Sequence, residues 1–538
     1  LSLEKKLLDY FSDRLIAGVA SFEITLSDVV YVEELQFLRE ECNCLILKDL
    51  CAVKSSSDLS RPSVSSGVPA IVYILYSFEM STTISAKLLL KDESQAFFLK
   101  SVNRIWPNAS WYEQEIINYF RLESKSATNQ KISLAEKEGE MEISPLISKY
   151  EGRRHKWIPM GPNNSGNLGN FKVDFLLDAE KVIDVKIETG MAHRGIEELC
   201  ETLRYGQIVA LMERLDCNSP YPPAIGWCRS VESMMQLTIP QRAQALRMIF
   251  LELARVADHL FFFSIFLDNL AIVDAKKFFL NLRAQVVGLY RSYGEGLVLS
   301  SSVVIGGMAR NLPTGWISEC FNMIKNVAEG INRFDKKIVS SRIFRERTKI
   351  CEISGAQAIS WGYSGPNLRA SGVNYDLRKV SPYYFYKDVD FEIPLGIYGD
   401  CYDRYLVRVE EVRQALRIIG QIIDYIPTGA FLLEDTQVML SDKSKIKTSF
   451  THLIDFTSLG LGGVKVPPSE IYQSVETSAG ELGFFIVAEG TERPARVKIR
   501  SASYAHLQSY RYIAQGFDLS GALTILASLN ISANEMDR

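Results

Sequence analysis

The residues that could do chemistry in this chain are mostly charged, and they come in clusters. The stretch GMAHRGIEEL (190–199) places His193 and Arg194 just ahead of Glu197. The step Arg214-Leu215-Asp216 runs directly into a lone Cys217. In PQRAQALRMIFLELARVADHLFFF (240–263), Arg247, Glu252, Arg255 and Asp258 fall on one arc of an otherwise apolar helical pattern. Arg369, Asp376 and Arg378 form a further group, Asp400, Asp403, Arg404 and Arg408 another, and Glu535, Asp537 and Arg538 a last one. Carboxylates beside guanidinium groups either lock a fold through buried ion pairs or carry protons, and residue type alone does not separate the two. Each cluster also has a plainer reading. His193-Arg194-Gly195 with Glu197 fits an ordinary helix start, Arg214 and Asp216 fit a surface pair worth little, and Asp400 to Arg408 fit a solvated helix start.

Metal-ligand patterns are missing from the sequence. The nine cysteines (42, 44, 51, 200, 217, 228, 320, 351 and 401) contain no C-x-x-C pair, and the five histidines (155, 193, 259, 452 and 506) show no i, i+3 or i, i+4 pairing. A zinc site built by this chain is not expected. Scattered thiols suit a reducing cytoplasm, and Cys42, Cys44, Cys51, Cys228, Cys320 and Cys351 read as small buried hydrophobes. No Gly-rich phosphate loop follows a strand, so a nucleotide such as NAD would be bound elsewhere.

The elements that must position these clusters follow from periodicity. Residues 1–122 read as a small α/β module. It has a helix at 4–15, strands at 21–32, 43–50, 70–78 and 85–92, a Ser-rich loop at 54–67 and a helix at 111–122. Residues 123–156 lose the pattern and read as a linker. Residues 157–538 read as a larger, mostly helical domain. Within it, 171–190 is a hairpin with its turn near Asp178-Ala179, 240–263 is a helix buried on most sides, 405–426 is a bundle helix, and 483–500 is strand, turn, strand. The fold class is therefore α+β.

With 538 residues, 47% of them hydrophobic, the chain can bury large cores. A net charge of −4 gives no electrostatic case for nucleic acid. No signal-peptide pattern and no uninterrupted membrane span are read; the most apolar window, 259–279, is cut by Asp268, Asn269 and Asp274.

Six motifs in order, within 190–199, 231–260, 364–379, 399–419, 467–507 and 526–538, resemble the 49 kDa subunit of respiratory complex I. They also resemble its relatives, the large subunits of group 4 membrane-bound [NiFe] hydrogenases such as formate hydrogenlyase and hydrogenase-4. WPNASWYEQEIINYF (106–120) is similar to a motif of the smaller, thirty-kilodalton complex I subunit. The resemblance implies a [NiFe]-hydrogenase large-subunit fold with small peripheral sheets, preceded by a module like that smaller subunit. The hydrogenase branch needs four thiolates. By the resemblance they fall at Cys217, Pro220, Ser532 and Glu535, and only one is a cysteine, so no nickel is expected.

The complex I branch implies a quinone pocket. Its glycine-rich turn matches GPNNSGNLG (161–169), but its histidine positions hold Asn164 and Leu168. Its tyrosine position holds Cys217, its third carboxylate position holds Asn269, and a histidine near the terminal cluster aligns with Leu299. Quinone reduction takes two electrons and two protons, and Leu168 can supply neither a proton nor a hydrogen bond.

The implied pocket candidates are Cys217, Asp216 and His193, with Arg214 beside a partner's [4Fe–4S] cluster. A structural or coupling network is implied for Arg194, Glu197, Arg369, Asp376, Arg378, Asp400, Asp403, Arg404, Glu535, Asp537 and Arg538. Two functions follow as expectations. One is the core subunit of a complex I-like complex on the cytoplasmic face of the membrane. It would pass electrons from an iron–sulfur small subunit to a quinone, alongside antiporter-like and quinone-module membrane subunits. The other is a non-catalytic scaffold of a hydrogenase-related complex.

Overall fold

The computed structural model describes residues 3–17, 21–54, 68–91, 99–121, 155–162, 171–216, 218–294, 302–433 and 463–538. The chain forms two compact units. One comprises Leu1–His155 with Ala356–Tyr363, and the other Lys156–Gly355 with Ser364–Arg538.

The first unit is built on a five-stranded sheet in the order β1-β2-β5-β4-β3. Its strands are β1 (Leu15–Ala17), β2 (Ser21–Leu26), β3 (Ile46–Val53), β4 (Ala70–Ser77) and β5 (Thr82–Leu89). All neighbours pair antiparallel except β2 with β5, which run parallel. β3 and β4 are buried along their whole length; β4 is aliphatic and aromatic up to Ser77, whereas β3 also buries Lys48 and Asp49. The helix Ala109–Arg121 packs on β3. Ahead of it, Trp106 donates its indole N–H to the Cys44 carbonyl (3.1 Å) and Asn108 its amide to the Leu47 carbonyl (3.0 Å). The expected strand 21–32 is shorter than predicted. It stops at Leu26, and Tyr31–Glu40 is a helix with Glu33 and Glu34 in its first turn. Acidic residues there favour a helix N-terminus, and that outweighs the β-propensity of Val29, Val30 and Tyr31. The predicted loop 54–67 and linker 123–156 lie almost wholly outside the described residues; His155 and Lys156, at the linker's end, open the strand His155–Met160.

The second unit is centred on the helix Gln241–Asn269, whose residues are buried nearly all round. It packs against the helices Tyr221–Met234, Val273–Gly294, Cys401–Asp424 and Leu519–Leu529. The helix ends where the charged interruption predicts: Ala271 takes φ 61° and Arg347 donates to the terminal Leu270 carbonyl (2.9 Å). Three small sheets surround this bundle. They are β6 (His155–Met160) with β7 (Lys172–Asp178) and β8 (Lys181–Glu188), the pair β9 (Val303–Val304) and β10 (Gly307–Met308), and β11 (Ser469–Glu476) with β12 (Glu481–Ala488) and β13 (Pro494–Arg500). The predicted hairpin 171–190 is β7 and β8, turning at Ala179.

One close approach fixes the central geometry. A Cβ on Gly365 would lie 2.4 Å from Gly480 Cα. Only glycine allows the β11–β12 turn to press onto the start of the helix Gly365–Ala370, which carries Arg369. Among the described residues no helix is long and apolar enough to cross a membrane.

Candidate functional site

The Arg214-Leu215-Asp216 step closes the turn after the helix Tyr205–Met212. Its backbone is held from outside by Arg194. That guanidinium donates to the carbonyls of Arg214 (2.8 Å), Leu215 (3.5 Å) and Asn534 (3.5 Å). Arg214 itself is exposed and donates to the Ala210 carbonyl (2.7 Å). The surface pair of Arg214 with Asp216 is not formed, because Asp216 turns inward and is buried. Cys217 lies outside the described residues, as do Asn164, Leu168 and Leu299.

Beneath this turn the C-terminal segment is buried. Asp537 accepts from the Gly190 and Ala192 amides (2.9 and 3.0 Å), and His193 Nδ1 lies 3.2 Å from the Asp537 carbonyl. Arg538 donates to Glu197 at 2.8 Å. Glu197 sits in the first turn of the helix Ile196–Thr202, facing Arg496, Lys498 and Arg538 and accepting from the Ile499 amide. Burial alone would raise its pKa; Lys498, Arg538 and Arg496 together hold it down to about 2. The segments 190–197 and 535–538 are thus one construction.

Asp216, Asp258 and Glu535 make a second cluster. Asp216 Oδ1 accepts from the Asn218 amide (3.1 Å) and from Ser532 Oγ (3.4 Å). Ser532 N donates to Ser503 Oγ (3.2 Å), and that hydroxyl donates to Glu535 (3.4 Å). Asp258, on the long helix, accepts from Asn530 Nδ2 at 3.0 Å. Burial, with the charges of Asp258 and Glu535 behind it, pushes Asp216 up to about 7. Burial raises Glu535 as well, and lifts Glu213 to about 7.

The third cluster is deeper and rich in arginine. Arg369 donates to Glu411 through Nε (3.0 Å) and Nη2 (2.7 Å), and to Glu476 through Nη1 (2.9 Å). Arg378 grips Asp376 (2.7 Å) and reaches Glu252 (3.2 Å), which also accepts from Arg255 (3.1 Å) and Tyr386 (2.6 Å). His259 Nε2 lies 2.9 Å from Glu411. Burial opposes the charge on Glu411, yet Arg369, His259 and Arg255 hold its carboxyl well below the usual range. Because Glu411 is ionised, His259 donates from Nε2. These groups are almost wholly inaccessible.

Within the arc Glu252 and Arg255 bond each other, Asp258 takes Asn530, and Arg247 makes a bidentate pair with Glu232 (2.6 and 2.7 Å). The expected ion network at Asp400 and Asp403 is instead a backbone cap. Asp400 accepts from the Asp403 amide (2.7 Å), and Asp403 from the amides of Ile397, Tyr398 and Gly399. Arg404 and Arg408 point inward, Arg404 to Ser528 and the Gly399 carbonyl, Arg408 to Asn367 and over the Phe262 ring at 4.3 Å. Sequence reasoning missed Glu411, Glu476 and His259. The available signal was a charged residue on an otherwise apolar helical face, as with Glu411 in YLVRVEEVRQAL.

The donor types at these positions bear on a nickel centre. By the resemblance the hydrogenase ligands would fall at Cys217, which lies outside the described residues, and at Pro220, Ser532 and Glu535, the last two joined through Ser503. Ser532 and Glu535 supply hydroxyl and carboxylate oxygen where soft thiolates are needed, and Pro220 supplies no side-chain donor. Among the described residues no group of histidine, cysteine and carboxylate side chains has metal-site geometry.

Comparison with known proteins agrees with this architecture. Residues 277–538 match the family model of the respiratory-chain NADH dehydrogenase 49 kDa subunit, and residues 24–156 that of the 30 kDa subunit. A C/D-type subunit of NADH-quinone oxidoreductase from Bdellovibrio bacteriovorus is 31% identical over 532 residues, covering 94% of this chain and 93% of its own. D-type subunits of NADH-quinone oxidoreductase from Methylacidiphilum infernorum (37%) and from Wolbachia sp. subsp. Brugia malayi (36%) match over 382 residues, 71% of this chain and 91% and 98% of theirs. Two complex I family models matched in succession, and a C/D-type relative matched nearly end to end, place the chain in the C/D family of NADH-quinone oxidoreductase (complex I) subunits.

Proposed function

We propose that this chain is the core subunit of a membrane-docked complex I-type oxidoreductase. It takes electrons from a [4Fe–4S] cluster held by an iron–sulfur partner and passes them to a quinone-like acceptor, and the membrane subunits couple this step to ion translocation. The observation that carries the reading is the Arg194 clamp on the Arg214-Leu215-Asp216 turn. It fixes an exposed cation, Arg214, directly beside a buried carboxylate with a raised pKa. An exposed guanidinium stabilises added negative charge on a neighbouring cluster, and a buried acid can supply a proton to a reduced acceptor.

A second reading, a scaffold without catalysis, is favoured by Asn269, whose amide is tied to the Ile265 carbonyl of its own helix (3.1 Å). The test is electron transfer from the partner cluster to a short-chain quinone in the purified complex. Reduction is expected, with Arg214→Met lowering the cluster's midpoint potential. An intact complex that reduces no quinone establishes the scaffold.

A further inference from the structure

The second and third charged clusters differ in one respect. In the deep cluster every carboxylate meets an arginine. Among the described residues, no basic side chain forms an ion pair with Asp216, Asp258 or Glu535, although all three are more than nine-tenths buried. Buried carboxylates crowded together with no cation in ion-pair contact resist joint ionisation, so such a group retains a proton.

The hydrogen bonds agree. Asp216 commits only Oδ1, to Asn218 and Ser532, and Oδ2 accepts from no described residue. Asn530 donates its amide to Asp258, while its Oδ1 is buried and has no hydrogen-bond donor among the described residues. An unfilled acceptor among carboxylates marks a place where a proton on one of them finds a partner. Ser532 and Ser503 join Asp216 to Glu535 in one hydrogen-bonded line.

We infer that Asp216, backed by Asp258 and Glu535, is the proton store for the quinone-like acceptor. The inference rests on the quinone-reductase reading above. It gives a role to residues of this chain where the expected histidine and tyrosine positions hold Leu168 and Cys217. A quinone takes two electrons from the partner's cluster, one at a time, and two protons. The Asp216 carboxylic acid gives one proton and becomes a carboxylate; water supplies the other and later reprotonates Asp216. The charged groups around Asp216 are Glu213 and Arg214 on its own turn, Asp258 on the long helix, and Glu535 near the C-terminus. Beyond these stand Arg500, facing Glu535, and Arg408, facing Asp258. A group held near pH 7 is matched to donation at neutral pH.

The test uses the purified complex. Infrared difference spectra of the oxidised complex, without turnover, should show a protonated-carboxyl band at neutral pH that disappears in Asp216→Asn. Turnover should decline as pH rises through about 7. Ser532→Ala removes a donor that favours the carboxylate, so it should move that decline to higher pH with no loss of assembly. Asp216→Asn should lower kcat by roughly 100-fold or more at little change in KM, and Asp216→Glu should recover part of it. A missing band, or a pH profile unmoved by Ser532→Ala, overturns the inference. A band without quinone reduction overturns the assigned acceptor and leaves the proton store in place; quinone reduction without the band does the reverse.

Discussion

At the scale of single residues, the side chains divide by whether a charge has a partner. Arg369 forms ion pairs with both Glu411 and Glu476. Replacing it by methionine takes away the cation these two carboxylates share in a dry interior, which costs roughly 3–5 kcal/mol. Arg369→Met should therefore show a large drop in the denaturation midpoint, whereas a surface change such as Lys186→Met should not. Glu197 gives a prediction with a pH signature. Its folded pKa is about 2, below the unfolded value near 4.3, so its stabilisation is present above about pH 4.3 and is lost as pH falls toward 2. Wild-type thermal stability should fall across that window, and Glu197→Gln should show a shallower fall because it has no carboxylate left to protonate. An equal slope in both proteins would assign the acid limb to other groups. His193, Arg194 and Glu197 were legible as one charged group because the motif is local. Glu411 and Glu476 were not, because each gains its meaning from a partner distant in sequence, Arg369.

At the scale of elements, long periodic helices were the most legible. The helices Gln241–Asn269 and Cys401–Asp424 follow directly from apolar spacing, and the hairpin β7–β8 from two alternating runs and a turn. Tyr31–Glu40 was misread because local propensity and the capping charges disagree there. The start of Cys401–Asp424 shows what spacing alone cannot say. Asp400, Asp403, Arg404 and Arg408, crowded at one helix start, suggested ion pairs, but the two carboxylates cap backbone. Asp403 collects three amides from Ile397, Tyr398 and Gly399 and holds the approach to the helix, while Asp400 serves as its N-cap. Asp400→Ala should cost about 1 kcal/mol as a single lost cap. Asp403→Ala should cost more, because three donors lose one acceptor. Hydrogen exchange should find the Ile397–Gly399 amides deprotected in Asp403→Ala and still protected in Asp400→Ala; protection in both would mean that other acceptors hold the segment.

At the scale of the whole molecule, a linear division into two modules follows from the sequence, and the D-type relatives match over 71% of the chain. The contacts add something linear reading does not contain. Ala356–Tyr363, deep in the second module by sequence, belongs with the first unit. Gly362 is the close point. It takes φ 71°, and a Cβ there would lie 2.5 Å from Asn108 Nδ2 and 3.3 Å from the Leu47 carbonyl that Asn108 holds. A non-glycine residue would meet backbone strain and a clash together. On these contacts the modules should stay associated without covalent continuity. A chain opened within residues 122–154 should be recovered as two fragments that co-purify, because residues 356–363 of the second fragment complete the first fragment's unit. Gly362→Ala in the opened chain should weaken that association, measured by fragment exchange, while leaving the melting of the second fragment unchanged. Fragments that separate freely without the substitution would show that the 356–363 segment is too small an anchor, and that fusion in this family supplies the connection itself.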